Sequence, residues 1–384
     1  MRILCVNSAI ELLGAEGKVV PLKAQTDYVV PDIVIMLLQE CGFGQNIIKN
    51  DDFYDWSEHK NYAGQRLDNK EVVFFRNGGI GDLIFPIPSA KALKEKYPTC
   101  KIYVCCNEWY RCLFEELDFI EGVYSLPLPM EEIWKKDYYI NFEGLIEGNP
   151  NKVDGECEAE VVDAYTLHSK KFHVTPDNLC PELKVNPEAE KLVKAELSKY
   201  AGMTKIVIAF SASVAIRSAD PALYKSLIDS VDDPNVRWFI TGSESQIVNI
   251  KNFIKTCKNK NKIINWSEKH KDLVYSMALV KNADCVIAPD SGLLHIAGGF
   301  GIPVIGLYGA FHSSLRMKHY KKAIGLNTSS SCVFARGKFR CCFQHGNGKC
   351  NLAKKYHQTF PPCMDYIKVD AIKGALKTLG VLYK

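Results

Sequence analysis

A chain of 384 residues has room for two or three domains, and 47% hydrophobic with 24% charged residues is the balance of a soluble globular enzyme that buries its core without disulfides. A formal net charge of +4 gives no argument for nucleic acid, and no apolar run reaches the length of a membrane span. The start of the chain, Arg2 and a short apolar run followed by polar residues, lacks the pattern of a secretory signal, and most of the fifteen cysteines are scattered in strand-like runs (Cys105, Cys106, Cys285) that suit a reduced, cytoplasmic interior.

Taken in order, residues 1–70 read as an N-terminal extension. A helix is expected over 32–41, between Pro31 and Gly42, and a polar, aromatic loop over 50–70. From Glu71 the pattern changes to strand 72–75, turn 76–82, helix 83–97 closed by Pro98, strand 102–106, helix 109–117 and strands 123–126 and 138–142. The alternation resumes after Pro187: helix 189–200, strand 206–210, helix 222–231, strand 237–241, helix 243–257, strand 263–266 and helix 272–283. Then an apolar run, 285–288, reaches Pro289-Asp290-Ser291-Gly292, a short apolar helix carrying His295, and a second apolar run, 304–308, opened by Pro303. An amphipathic helix is expected over 365–379. Strands alternating with helices argue for parallel sheets covered on both faces. The fold class is therefore α/β, with two Rossmann-like domains facing a cleft, 71–185 and 186–345. A Cys-rich tail and C-terminal helix, 346–384, are expected to pack back on the first domain.

Two turns carry chemistry. Asp290 and Ser291 stand where a buried strand hands over to a helix N-terminus, whose free N–H groups and dipole suit a phosphate. The same residues are also ordinary helix caps. Upstream, Asn77-Gly78-Gly79-Ile80-Gly81-Asp82 turns sharply on its glycines. It is neither a dinucleotide fingerprint, since the third glycine would fall on Ile84, nor a P-loop, since no Gly-Lys-Ser/Thr follows. Asp82 can serve there as helix cap or as general base. Across a two-domain cleft, Asp82 is expected on one wall and the Asp290 phosphate site on the other, the arrangement that group transfer from a nucleotide diphosphate needs.

At these residues the chain resembles glycosyltransferase family 9, the heptosyltransferases. NGGIGDLIFPIPSAKALKEKYP is similar to the family's N-terminal signature, APDSGLLHIAGGFGIPVIGLYGA to its donor-site signature, and DYYINFEGL to its acceptor-side strand, which carries Glu143. The resemblance runs from Glu71 to the C-terminus. It implies a GT-B fold and inverting sugar transfer, usually from ADP-heptose, with no metal or other cofactor required for catalysis. Asp82 matches the catalytic base, with Gly79 and Gly81 in its turn. Asp290, Ser291, Gly292 and His295 match the donor and diphosphate site. The segment from Ser211 to Arg217 resembles the one carrying a phosphate-binding lysine, with Arg217 in the basic position, although Arg217-Ser218-Ala219-Asp220 stands where the family has Lys-x-Trp-Pro. Gly242 and Glu244 resemble the next donor loop, where an acid holds ribose hydroxyls; Glu244 reads equally as a first-turn helix acid.

Cys332, Cys341, Cys342, Cys350 and Cys363 crowd the tail with His345 and His357. A structural Zn or Fe held by Cys341, Cys342, Cys350 and Cys363 is one reading; a reduced loop is the other. The acceptor is a glycan, a lipid-linked glycan such as the lipopolysaccharide core, or a protein hydroxyl. The location is cytoplasmic, with a peripheral place at the inner membrane face as a variant. Two further readings stand beside the transferase: a GT-B epimerase or phosphorylase, and a nucleotide-sugar-binding module without catalysis.

Overall fold

The computed structural model describes residues 2–6, 9–13, 19–30, 34, 35, 38, 47–50, 60–149, 151–328, 330, 332–344 and 350–382. It divides into two compact units that are discontinuous in sequence. One comprises Met1–Gly78, Ser89–Glu143 and Ser169–Thr175; the other comprises Gly79–Pro88, Gly144–His168 and Pro176–Lys384.

In the first unit the extension forms an antiparallel sheet. Arg2–Val6 pairs with Thr26–Val30 and with Ile47–Asn50, and Leu128–Pro129 adds itself beside Thr26–Val30. Alternation along Thr26–Val30 sends Tyr28 and Val30 into one core with Leu4 and Val6, and Val29 into another with Val73, Phe75 and Met130. Of the expected helix over 32–41 the structure describes residues 34, 35 and 38, each helical, and of the expected loop over 50–70 it describes 50, which ends a strand, and 60–70, which run as turns and irregular chain with one isolated bridge at Asn61; the rest lie outside the described residues. The unit's second sheet has β1 (Glu71–Phe75), β2 (Lys101–Asn107), β3 (Gly122–Leu126) and β4 (Tyr138–Asn141), all parallel, in the order β4-β1-β2-β3. Its central strand reads EVVFF, the unbroken apolar run of a strand buried on both faces.

The single helix expected over 83–97 is two helices, α1 (Ile80–Ile84) and Ile87–Lys96. Pro86 has no N–H for the carbonyl one turn back, so the helix stops and restarts. The segment expected as helix 109–117 is a 3-10 helix, Glu108–Leu113, begun by the Asn107 side chain accepting from the Trp109 N–H at 3.1 Å.

The second unit holds six parallel strands: β5 (Thr204–Ala209), β6 (Val236–Thr241), β7 (Ile263–Asn265), β8 (Cys285–Pro289), β9 (Val304–Tyr308) and β10 (Ala323–Asn327). Their order is β7-β6-β5-β8-β9-β10. The winding direction reverses between β5 and β8, so the loops leaving Ala209 and Pro289 part there and leave a crevice, where ligands bind in open α/β sheets. After β8 comes α2 (Gly292–Phe300), ended by Gly301 in the left-handed conformation at φ 67°. The last helix, Val369–Thr378, starts later than expected. Its buried Ile372, Ala375 and Leu376 join Leu227, Ile305 and Leu307 in the core of this six-stranded sheet. Among the described residues no helix is long and apolar enough to cross a membrane.

Candidate functional site

The crevice at the end of β5 and β8 is lined by a connected set of polar side chains. Arg217 donates from Nη1 to Asp290 Oδ2 at 2.8 Å and from Nη2 to Ser213 Oγ at 2.6 Å. Asp290 Oδ1 lies 3.3 Å from His295 Nε2, His295 Nδ1 lies 2.6 Å from the Tyr320 hydroxyl, and Tyr320 accepts from the Tyr165 hydroxyl at 2.9 Å. With Tyr320 accepting from Tyr165, its own proton goes to Nδ1, which leaves the imidazole proton on Nε2 facing the carboxylate. Tyr320 reaches His295 because α2 has a glycine beneath it: a β-carbon at Gly298 would lie 2.5 Å from the Tyr320 ring. Burial by itself raises the Asp290 pKa, but the His295 hydrogen bond and the charges of Arg217 and Arg316 outweigh it and hold the carboxyl well below the usual range.

Three polar atoms of this crevice are buried without a hydrogen-bond partner: Ser291 Oγ, Arg217 Nε and Tyr308 Oη. Most buried polar groups in folded proteins are satisfied, so these three, together at a strand-end crevice, are free to bond a polar ligand. Ser291 is the N-cap of α2 yet its hydroxyl caps nothing in the helix, which leaves the first N–H groups without a side-chain acceptor from the cap.

From Gly79 on, the glycine turn belongs to the same unit. Asp82 lies in the first turn of α1, and its Oδ2 accepts from the Gly79 N–H at 3.1 Å. Sequence alone places Asp82 and Asp290 on opposite walls; the structure instead fastens α1 to α2. A β-carbon at Gly81 would lie 2.6 Å from His295 Cδ2, and one at Gly292 would lie 2.5 Å from Ile80 Cδ1. Both glycines are thus spent on helix contact, and the space at Gly292 is filled by Ile80. In the first unit, Glu143 accepts from the Asn77 N–H at the start of the glycine turn, with Arg76 Nη1 4.0 Å from its other oxygen.

The remaining loops are stitched to one another. Ser211 Oγ accepts from the Gln246 side-chain amide, and the Gly242 N–H donates to Ser267 Oγ at 2.7 Å. Glu244 is exposed and ion-paired with Lys271. Gln246, Ser213, Tyr165, Tyr308 and Tyr320 are absent from the sequence reading. Gln246, Tyr165 and Tyr320 act through partners far along the chain, which spacing does not reveal, whereas Ser213 bonds Arg217 four residues on and the Tyr308 hydroxyl has no partner.

In the tail, Cys332, Cys342, Cys350 and Cys363 line one small cavity with Ile216, Gly309 and Ala310. Cys341, expected among the ligands, is turned away, its buried Sγ donating to the Phe339 carbonyl at 3.3 Å; Cys332 takes its place. Burial, together with the other three thiols, pushes the Cys363 thiol up to about 12. Among the described residues no three side chains are already drawn into a metal-ligand arrangement. The cavity abuts Ile216, the residue before Arg217, so the tail is positioned to steady the Arg217 loop.

The family model of glycosyltransferase family 9 (heptosyltransferase) matches residues 149–339. No curated protein matches the chain by sequence. Among solved structures, a family 9 glycosyl transferase from Veillonella parvula DSM 2008 is similar at a TM-score of 0.62 and 15% identity, over 82% of this chain and 98% of that one. The E. coli ADP-heptose lps heptosyltransferase II gives 0.58 and 16%, over 81% and 98%. The dodecameric iron-containing heptosyltransferase TibC of E. coli, in complex with ADP-D-beta-D-heptose, gives 0.50 and 11%, over 99% and 90%. The fold is GT-B.

Proposed function

We propose that the chain is a glycosyltransferase of family 9 and that it moves heptose from ADP-heptose to an acceptor hydroxyl with inversion at the anomeric carbon. The observation that carries the reading is the crevice at β5 and β8, where an Arg217–Asp290 ion pair stands beside buried, unpartnered Ser291 Oγ, Arg217 Nε and Tyr308 Oη. Neighbours of the same fold are described as using or binding ADP-heptose. The diphosphate lies against the start of α2, where the α2 N–H groups and the Arg217 Nε donate to it. Asp82 accepts the acceptor's hydroxyl proton as that oxygen bonds to the anomeric carbon. The bond from the carbon to the diphosphate oxygen breaks, and ADP leaves with the electron pair. His295, fixed by Tyr320, keeps Asp290 oriented toward Arg217. The acceptor is a glycan, a lipid-linked glycan or a protein hydroxyl met in the cytoplasm or at the inner membrane face.

The soft thiols of Cys332, Cys342, Cys350 and Cys363 fit a tetrahedral Zn or Fe, which would tie the tail to the Arg217 loop and take no part in the transfer. Untagged protein should then carry about one equivalent of metal; Cys350→Ser should lose it, and metal-free protein with an unchanged melting temperature would end that proposal. The transfer itself is tested by incubating the protein with ADP-heptose and bacterial glycan or protein fractions and following ADP release. ADP-heptose at 100 Kd should also stabilise the fold by about 2.7 kcal/mol. Neither stabilisation nor ADP release with any fraction would overturn the reading.

A further inference from the structure

A second arginine stands in the crevice, and nothing in the sequence reading concerns it. Arg316, in the short helix Ser314–Met317 beyond β9, is only 5% exposed. Its guanidinium makes one hydrogen bond to the protein, Nη1 to the Leu315 carbonyl at 3.1 Å, and among the described residues it has no carboxylate within ion-pair distance. It lies over two rings instead, 4.6 Å from the centroid of Phe311 and 5.8 Å from that of Phe85. The carboxylate of the crevice, Asp290, is already paired with Arg217. Two guanidinium groups therefore share one carboxylate, and the surplus positive charge is Arg316. Leaving a buried cation unpaired is costly, so the native fold alone gives no reason for it.

The position of Arg316 says what it awaits. Arg217 approaches Asp290 from the loop after β5. Arg316 approaches from beyond β9, over Phe85, the residue just past α1, whose first turn carries Asp82. Tyr308, at the end of β9, has its buried hydroxyl unpartnered, in the field of both arginines and of Asp290. We propose that Arg316, with Tyr308 beside it, binds the distal phosphoryl group of the donor diphosphate, the one joined to the sugar, on the Asp82 side of the crevice. The inference rests on the donor site proposed above and deepens it: the cation sits where the leaving oxygen gains negative charge as the sugar departs, which is where a preorganised donor accelerates transfer. The two rings hold the fork without offering it a competing acceptor.

The test is calorimetric binding of ADP and of AMP to the wild type, Arg316→Gln, Arg316→Lys and Arg217→Gln, with melting temperatures of the free proteins. Arg316→Gln should weaken ADP by about ten- to hundredfold, AMP much less, and leave the free protein's melting temperature unchanged or higher, since an unpaired buried charge has gone. Arg316→Lys keeps the charge but loses the fork and should fall between. A lowered melting temperature with the ADP-to-AMP ratio intact would make Arg316 structural and overturn the inference. Should Arg316→Gln not fold, an unchanged ratio in Arg316→Lys does the same. Loss in Arg217→Gln with none in either Arg316 variant sinks this inference alone. If ADP fails to bind the wild type, or Arg217→Gln binds it normally, the donor-site reading falls and takes this inference with it.

Discussion

Gly81 approaches His295 so closely that a β-carbon at position 81 would lie 2.6 Å from the imidazole Cδ2. This contact fastens the turn that carries Asp82 to the helix that carries the donor motif. The ring has little freedom to yield, being bonded at Nδ1 to Tyr320 and packed edge-on against Phe85 with centroids 5.0 Å apart. Gly81→Ala should therefore destabilise the protein by about 1–3 kcal/mol, the usual cost of overpacking. It should also weaken ADP binding, because the displaced ring is the one that orients Asp290. Urea unfolding and calorimetry on the one variant check both.

Gly292 makes the reciprocal contact. Its missing β-carbon leaves room for Ile80, whose Cδ1 would be 2.5 Å away. Gly292→Val should push α1 off α2 and lower turnover. Adding Ile80→Ala should restore part of the loss, whereas a direct block of the phosphate would not be relieved. A double-mutant cycle on turnover reads the coupling, expected at about 0.5–3 kcal/mol for residues in contact.

Acid stability should depend in part on Asp163. Burial raises its pKa, but the His319 hydrogen bond at 3.0 Å and the Thr166 N–H at 3.1 Å outweigh this and hold it at about 2, against an ordinary 3.8. Lys318 Nζ lies 3.7 Å away. A carboxyl whose folded pKa is depressed contributes stability that is whole above its unfolded pKa and is lost as pH falls through the folded one. The contribution should be present at pH 5 and above, on the order of one unit over the ordinary value, and vanish toward about pH 2. Asp163→Asn should be less stable at neutral pH and flatter across that range, as followed by denaturation midpoints.

The alternation of strands and helices and the Asp290 unit were legible because both are local: apolar runs of strand length, a cap, and a helix pattern closed by Gly301. What was not legible is long-range. Nothing near Gly81 or Gly292 in the sequence says that each faces the other's helix. Tyr320 and Tyr165 are far from His295 in sequence and carry no motif. The sheet of the extension escaped notice because its strands are short and one partner, Leu128–Pro129, comes from the core. Cys341 and Cys342 are adjacent, so at most one can face a given cavity from an extended backbone; spacing does not say which.

On the proposed mechanism Asp82, held on α2 by Gly81 and Ile80, is the base of the transfer. Its Oδ2 already accepts from the Gly79 N–H, so a capping role alone would be met by an amide oxygen. The decisive measurement is turnover of Asp82→Asn with ADP-heptose and a genuine acceptor, beside its ADP affinity and melting temperature. The expected result is a folded protein that binds ADP as the wild type does and turns over about 10²–10⁴-fold more slowly. Near-normal turnover would leave Asp82 as a helix cap and contradict the account.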